Sequence, residues 1–286
     1  MPDRIVALPC WTGQPRAERL PGGLSNEIWK VTDDAGAHVV RFGRDYPFHH
    51  VDRAREAMAA RAAHEAGFAP AVEYTAPGVM VTAFVTAATW TDADVRANPD
   101  RIGTFLARFH REMPARVSGA AFLFWPFHVN RDYLRQLNRP VLAPWFAINA
   151  ALEAAQVPLP LIFGHNDLLP ANFLHDGNRL WLIDYEYAGW GNCLFDLAGV
   201  ASNAGMTAEE SAALLSAYLG HAPDAGFRRA FDAMQVAALL REYLWAHVSA
   251  LHLSETGIDY PTYAAENLTR LRQSLDLFQS QHGKLP

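Results

Sequence analysis

Two short apolar runs bracket the most constraining stretch of this chain. The first, Pro160-Leu161-Ile162-Phe163, leads into Gly164-His165-Asn166-Asp167-Leu168-Leu169-Pro170-Ala171-Asn172-Phe173-Leu174. The second, Leu180-Trp181-Leu182-Ile183, ends on Asp184-Tyr185-Glu186. Apolar runs this short, bounded by turn formers, read as strands. The stretch therefore predicts a strand, a polar loop, and a hairpin whose second strand delivers a carboxylate. Asp167 and Asn172 stand five apart in the loop, with Asp184 after the second run.

Those residue types suit one chemistry. His-x-Asp-x4-Asn followed by a further Asp is the pattern of the kinase catalytic loop and its metal-binding carboxylate. Phosphoryl transfer needs a carboxylate near the attacking hydroxyl, which assigns Asp167. It also needs oxygen ligands for magnesium, which assigns Asn172 and Asp184. Turn chemistry alone would explain any one of the three. The whole constellation, with both strands in register around it, points to phosphoryl transfer.

A chain of 286 residues that is half hydrophobic can bury a sizeable core in one or two domains. The formal charge of −6 argues against a nucleic-acid partner. Lys30 and Lys284 are the only lysines, and no basic cluster stands out. The first residues carry no signal-peptide apolar region, and no run is long enough to insert in a membrane. Cys10 and Cys193 are far apart and outside any C-x-x-C pattern, so both read as free thiols of a cytoplasmic protein.

Upstream, Leu20 to Val31 reads as strand end, Gly-rich turn and strand, followed by a strand over His38-Val39-Val40-Arg41-Phe42. The turn lies where a kinase keeps the loop over its nucleotide phosphates. It lacks a full G-x-G-x-x-G, and Gly23, Ser25 and Asn26 are the candidates there. Arg41 stands where a kinase usually has its phosphate-binding lysine, and a guanidinium can meet phosphate oxygens bidentately. Lys30 reads as a sheet-edge residue. A helix over 52–66 carries Glu56, and in the kinase arrangement a glutamate of this helix pairs with the strand cation, here Arg41; the bland alternative is a surface glutamate opposite Arg53 or Arg55. Strands over 70–74 and 79–85 follow. The backbone of Ala83, Phe84 and Val85 would then offer bonds to an adenine edge.

The remainder predicts helices. Asn98-Pro99 opens one with Ile102, Phe105, Leu106 and Phe109 on a single face. Residues 124–155 read as two more. Phe195-Asp196-Leu197-Ala198 opens a helix in which Asp196 is expected to be structural, bonding backbone near the catalytic loop. Thr207 with Glu210 makes a capping box. Helices over 224–253 and 261–279 end the chain.

With these residues in hand, the chain resembles the choline/ethanolamine kinases, within the aminoglycoside-phosphotransferase-like superfamily. The likeness runs from Gly22-Gly23-Leu24-Ser25-Asn26 to Asn267-Leu268-Thr269-Arg270. It is sharpest in His165 to Asn172, in Ile183-Asp184-Tyr185-Glu186-Tyr187-Ala188-Gly189, and in Phe195 to Ala198. Arg41 in place of lysine is similar to the choline-kinase branch. The resemblance implies an α+β, bilobal, protein-kinase-like fold. Residues 1–86 would form a nucleotide-binding lobe, a small antiparallel sheet with one helix. Residues 87–286 would form a larger, mostly helical lobe with the catalytic loop and acceptor pocket. It further implies ATP, Mg2+ and a small alcohol as acceptor.

Departures bear on the acceptor. Asn203 stands where the animal choline kinases have an amine-binding glutamate. Glu242 stands where they have the first of two tryptophans, and Trp245 keeps the second. Tyr260 matches a tyrosine of their aromatic pocket. Trp245 and Tyr260 either wall a cation site or belong to the core, and Glu186 would add negative potential. The expected activity is ATP-dependent phosphorylation of a small, amine-bearing alcohol. An aminoglycoside, thiamine or sugar kinase is the alternative within the superfamily, and a regulatory pseudokinase the alternative outside it.

Overall fold

The N-terminal lobe is built on strand alternation. Five antiparallel strands run in the order β1-β2-β3-β5-β4: β1 (Arg16–Arg19), β2 (Glu27–Thr32), β3 (Ala37–Phe42), β4 (Val72–Ala76) and β5 (Val79–Ala83). The structure, a computed structural model, describes residues 2–20, 27–253 and 258–285. Val31, Val40 and Val81 from three neighbouring strands meet Ile5 of the short helix α1 (Asp3–Val6) on one face. Because successive side chains alternate, Arg41 is thrown onto the opposite face. There it meets α2 (Arg53–Glu65), which Asp52 caps by accepting from the Arg55 N–H at 2.7 Å. The strand predicted over 79–85 stops at Ala83, where the chain leaves the sheet for the second lobe.

Between the lobes lie β6 (Ala88–Thr89) and α3 (Asp92–Ala97). The sequence reading began helix at Asn98-Pro99 and missed α3, a single turn and a half opened by a Thr91/Asp94 capping box. Asn98 does not cap the next helix; its amide donates back to Asp94 O at 2.8 Å. Pro99 still opens α4 (Pro99–Glu112), which buries Ile102, Leu106 and Phe109 as its period requires. The predicted pair over 124–155 is α5 (Pro126–Leu137) and α6 (Pro144–Ala154).

Next come β7 (Ile162–Gly164), β8 (Phe173–His175), β9 (Leu180–Leu182) and β10 (Gly189–Gly191), then α7 (Cys193–Ala204), α8 (Ala208–Leu219), α9 (Ala225–His252) and α10 (Tyr260–His282). Helix α9 is buried on nearly all sides, between α5, α7 and α10. Gly103 lets α4 lie against α8: a Cβ there would stand 2.5 Å from Leu214 O. Cys10 and Cys193 are both free thiols. Among the described residues no helix is long and apolar enough to cross a membrane.

One short segment ties the lobes. Residues 46–51 precede α2 and put His49 into the second lobe, 2 % exposed. Its ring nitrogens are hydrogen-bonded to Tyr133 Oη at 3.0 Å and Ser249 Oγ at 2.8 Å, and the ring stacks on Trp245.

A second histidine gives the small lobe a pH-dependent tie. His38 of β3 reaches Glu73 of β4 at 2.6 Å and Asp33 at 3.0 Å. Desolvation pulls its pKa down, but the bonds to Asp33 and Glu73 outweigh that, leaving it above the ordinary 6.5. The stabilisation is therefore full below the unfolded value and fades as pH rises through the raised folded value. We expect His38→Gln to lower the urea midpoint more at about pH 5.5 than at about pH 8.5. An equal or greater loss at the higher pH contradicts a charged His38.

Candidate active site

Strand β7 carries the catalytic loop, paired antiparallel with β10 so that Gly164 faces Gly189. Beyond it the chain turns sharply. Asn166 sits at φ 64°, a left-handed conformation that asparagine tolerates better than most residues. Its side-chain amide donates to Tyr187 O at 3.1 Å. Asp196, in the first turn of α7, accepts from the backbone N–H of His165 at 2.8 Å and of Asn166 at 2.7 Å. His110 Nε2 donates to the same carboxylate at 2.8 Å. Burial pushes Asp196 up, but the His110 bond and the loop amides prevail and hold it below the usual carboxylate value. Gly164 leaves room for this arrangement, since a Cβ would lie 2.9 Å from Asn166 Oδ1 and 3.1 Å from Asp196 Oδ2.

Two further bonds tether Asn172 to Asp167 and to the residue before Asp184. The Asn172 amide donates to Asp167 O at 2.8 Å, which turns its carbonyl oxygen elsewhere. The Ile183 N–H donates to Asn172 O at 3.1 Å, so the residue before Asp184 is stitched to the loop. Asp184 itself stands at φ 70°. Burial, and next the Glu186 carboxylate, push its carboxyl up to about 7 against the pull of Arg41.

Above it lies a charged cluster. Arg41 pairs with Glu56, as expected, and its Nη1 lies 3.7 Å from Asp184 Oδ1 and 4.0 Å from Glu186 Oε2. Glu56 is fully buried, not a surface residue, and it takes Arg53 as well, at 2.7 Å. Arg53 Nη1 also donates to Glu186 at 2.9 Å. Glu186, expected toward the acceptor, thus has its carboxylate engaged by arginine on the Asp184 side. Asp184 Oδ1 is buried without a hydrogen-bond partner, and so is Arg41 Nη1.

No metal ion is part of the structure, but the donors fit one. Among the described residues no three His, Cys, Asp or Glu side chains gather to hold an ion alone. A magnesium ion held by a carboxylate, an amide oxygen, water and substrate phosphates needs no such group, and Asp184 Oδ1, buried without a hydrogen-bond partner, is such a donor.

Asp167 has a partner that the sequence reading did not single out. Arg241 of α9 is 2 % exposed, with Nη1 3.7 Å from Asp167 Oδ1 and 2.6 Å from Glu242 Oε1. Its guanidinium lies over the Tyr187 ring at 4.3 Å. Burial pushes the Asp167 carboxyl well above its usual value and Arg241 opposes that push. The signal was present as a charged pair inside Ala237-Ala238-Leu239-Leu240-Arg241-Glu242-Tyr243-Leu244-Trp245. An unbroken apolar run on a buried helix admits charge only where a partner waits.

The remaining candidates fall in separate places. Gly23, Ser25 and Asn26 lie outside the described residues. The Ala83 N–H donates to Ala71 O and the Phe84 N–H to Ala37 O, both at 2.9 Å, which leaves Val85 to offer its N–H. Lys30 sits at the sheet edge, 3.3 Å from Glu18 and 4.6 Å from the Phe84 ring centre. Trp245 is buried, donating Nε1–H to Tyr187 Oη at 3.0 Å, with Tyr260 edge-on at 6.0 Å between centroids. A narrow hollow beside Asp167 is lined instead by Asn166, Leu168, Phe195, Gly199, Asn203, Ala238 and Glu242.

Comparison with known proteins places this geometry. The family model described as the phosphotransferase enzyme family matches residues 16–251. A choline/ethanolamine kinase family protein from Mesorhizobium loti superposes with a TM-score of 0.76 at 30 % identity, over 96 % of this chain and 93 % of that one. The choline kinase LicA from Streptococcus pneumoniae superposes with a TM-score of 0.75 at 20 % identity, over 92 % and 93 %. A probable ethanolamine kinase of Arabidopsis thaliana is 25 % identical over 201 residues, 63 % of this chain and 54 % of that protein. The chain spans less than two thirds of the length of the curated relatives it matches.

The Asp196 cluster generates a stability prediction. Asp196→Ala leaves two loop N–H groups and His110 without their acceptor. Removing one member of a buried, charge-paired set destabilises by about 3–5 kcal/mol. Chemical denaturation should show a loss of that size; a change below about 1 kcal/mol means the loop holds its shape without the carboxylate.

Proposed function

Because the chain belongs to the phosphotransferase enzyme family, we propose that it transfers the γ-phosphate of ATP to the hydroxyl of a small, amine-bearing alcohol of the choline and ethanolamine kind. One observation supports the reading: the Asn172 amide bonds the Asp167 backbone carbonyl and the Ile183 N–H bonds the Asn172 backbone carbonyl, which tethers the Asp167 loop to the residue before Asp184. The M. loti relative, similar over nearly the full length of both chains, supports the acceptor class.

In this reading Asp167 orients the acceptor hydroxyl and takes its proton as the alcohol oxygen attacks phosphorus. The O–H bond breaks, a P–O bond forms, and the bond to the β-phosphate breaks to release ADP. Arg241, beside the same carboxylate, favours its ionised form. Asn172 and Asp184 hold Mg2+, which when bound neutralises charge on the phosphate oxygens. Arg41 meets the phosphates, held in place by Glu56, while Arg53 ties Glu56 to Glu186. The backbone N–H of Val85 meets the base, those of Ala83 and Phe84 being bonded to Ala71 O and Ala37 O. Catalysis is then positioning and electrostatics. The cytoplasm, with its ATP and reduced thiols, is the compartment this chemistry calls for.

The test is a coupled ADP-release assay across choline, ethanolamine, thiamine, simple sugars and aminoglycosides. With the best acceptor, Asp167→Ala should lower kcat by about 10²–10⁴-fold and leave ATP binding nearly intact. Asp184→Ala should weaken magnesium-nucleotide binding as well. Near-wild-type turnover by Asp167→Ala removes the assignment.

A further inference from the structure

The hollow beside Asp167 has two carboxylates in its wall, Asp167 and Glu242. A single guanidinium nitrogen of Arg241 lies 3.7 Å from one and 2.6 Å from the other, so the two stand close together. Arg241 offsets one of the two negative charges. With both carboxylates ionised the hollow carries one net negative charge, the complement of a monocation.

Glu242 is 9 % exposed, and its oxygens are oriented by Arg241 Nη1 and by the Tyr263 hydroxyl, which donates at 2.9 Å. A carboxylate oxygen accepts more than one hydrogen bond, so each retains capacity for a donor from the hollow. Among the described residues the other walls offer no aromatic cage. Leu168, Ala238 and Gly199 are small or aliphatic, Asn203 supplies an amide, and Phe195 is the one ring. The Trp245 indole is committed to Tyr187 and His49.

Building on the amine-alcohol reading above, we propose that Glu242 determines acceptor specificity by accepting an N–H, which makes the preferred substrate a primary or secondary ammonium alcohol and not a quaternary one. An O–C–C–N chain spans about 3–4 Å at ordinary bond lengths. The 3.7 Å and 2.6 Å contacts of one Arg241 nitrogen keep those two carboxylate oxygens within about 6 Å of each other, a gap that such a chain, hydrogen-bonded at both ends, can bridge. A hydroxyl directed at Asp167 therefore carries an ammonium on the next carbon to Glu242. A quaternary nitrogen presents methyl groups, donates nothing, and would bury Glu242 against them. A site built around a hydrogen bond rejects the analogue that lacks it far more strongly than a cavity rejects an extra methyl.

The experiment needs no variant at first. Full-length protein is assayed by ADP release with ethanolamine and its N-methyl, N,N-dimethyl and N,N,N-trimethyl forms, the last being choline. We expect kcat/KM to fall along the series, with the largest step at the final methyl and a total loss of about 100-fold or more. Choline turned over as well as ethanolamine overturns the role of Glu242 and leaves the amine-alcohol kinase standing. ADP release driven by a sugar or an aminoglycoside, and by none of the four amino alcohols, overturns both. Glu242→Gln should raise KM for ethanolamine about tenfold or more, leave KM for ATP unchanged, and shrink the ethanolamine-to-choline ratio. An unchanged ratio in a variant that melts like the wild type overturns the proposal, and the methylation series decides alone should that variant not fold.

Discussion

The buried Asp196 carboxylate is the constraint on which the site depends. A catalytic loop must leave its strand abruptly, and such a turn strands backbone N–H groups away from water. Each would destabilise the fold by an amount comparable to a lost hydrogen bond. Asp196 takes two of them at once and is itself compensated by His110. The helix that follows Asp184 thereby fixes the loop that precedes it. Asp167 inherits its position from this clamp and from the Asn172 amide.

The site works with more charge than its chemistry uses directly. Glu56 and Glu186 approach Asp184 closely enough to repel it, and Arg41 and Arg53 are threaded between them. Burial of this set is tolerated because every carboxylate meets a guanidinium. Around Asp167 the same solution recurs with Arg241. Arginine suits both places, since it stays charged and presents several donors from one planar group.

Much of this was legible in sequence where a local rule governs. The strand pairs around the catalytic loop, the Asp52-capped helix and the Thr207/Glu210 box follow from periodicity and capping, and they stand where expected. Helix α3 was missed because six residues give no periodic signal, and β10 because Gly189-Trp190-Gly191 reads as a turn. The Arg41–Glu56 pair was expected from the kinase arrangement of a helix glutamate with the strand cation. Arg53 was weighed only as a surface partner, since its second contact, Glu186, is distant in the chain. Arg241 was passed over for the same reason: what it meets is decided by how α9 packs. The hollow's walls come from the catalytic loop, α7 and α9, and no single stretch announces them.

His49 has a mechanical consequence. It is wedged between Tyr133 and Ser249 and lies flat on Trp245, one turn of α9 from Arg241 and Glu242. The chain runs directly from it into the helix that carries Arg53 and Glu56. Arg53 and Glu56 on α2 and Arg241 and Glu242 on α9 are therefore tied through one side chain, with His49 as the rivet.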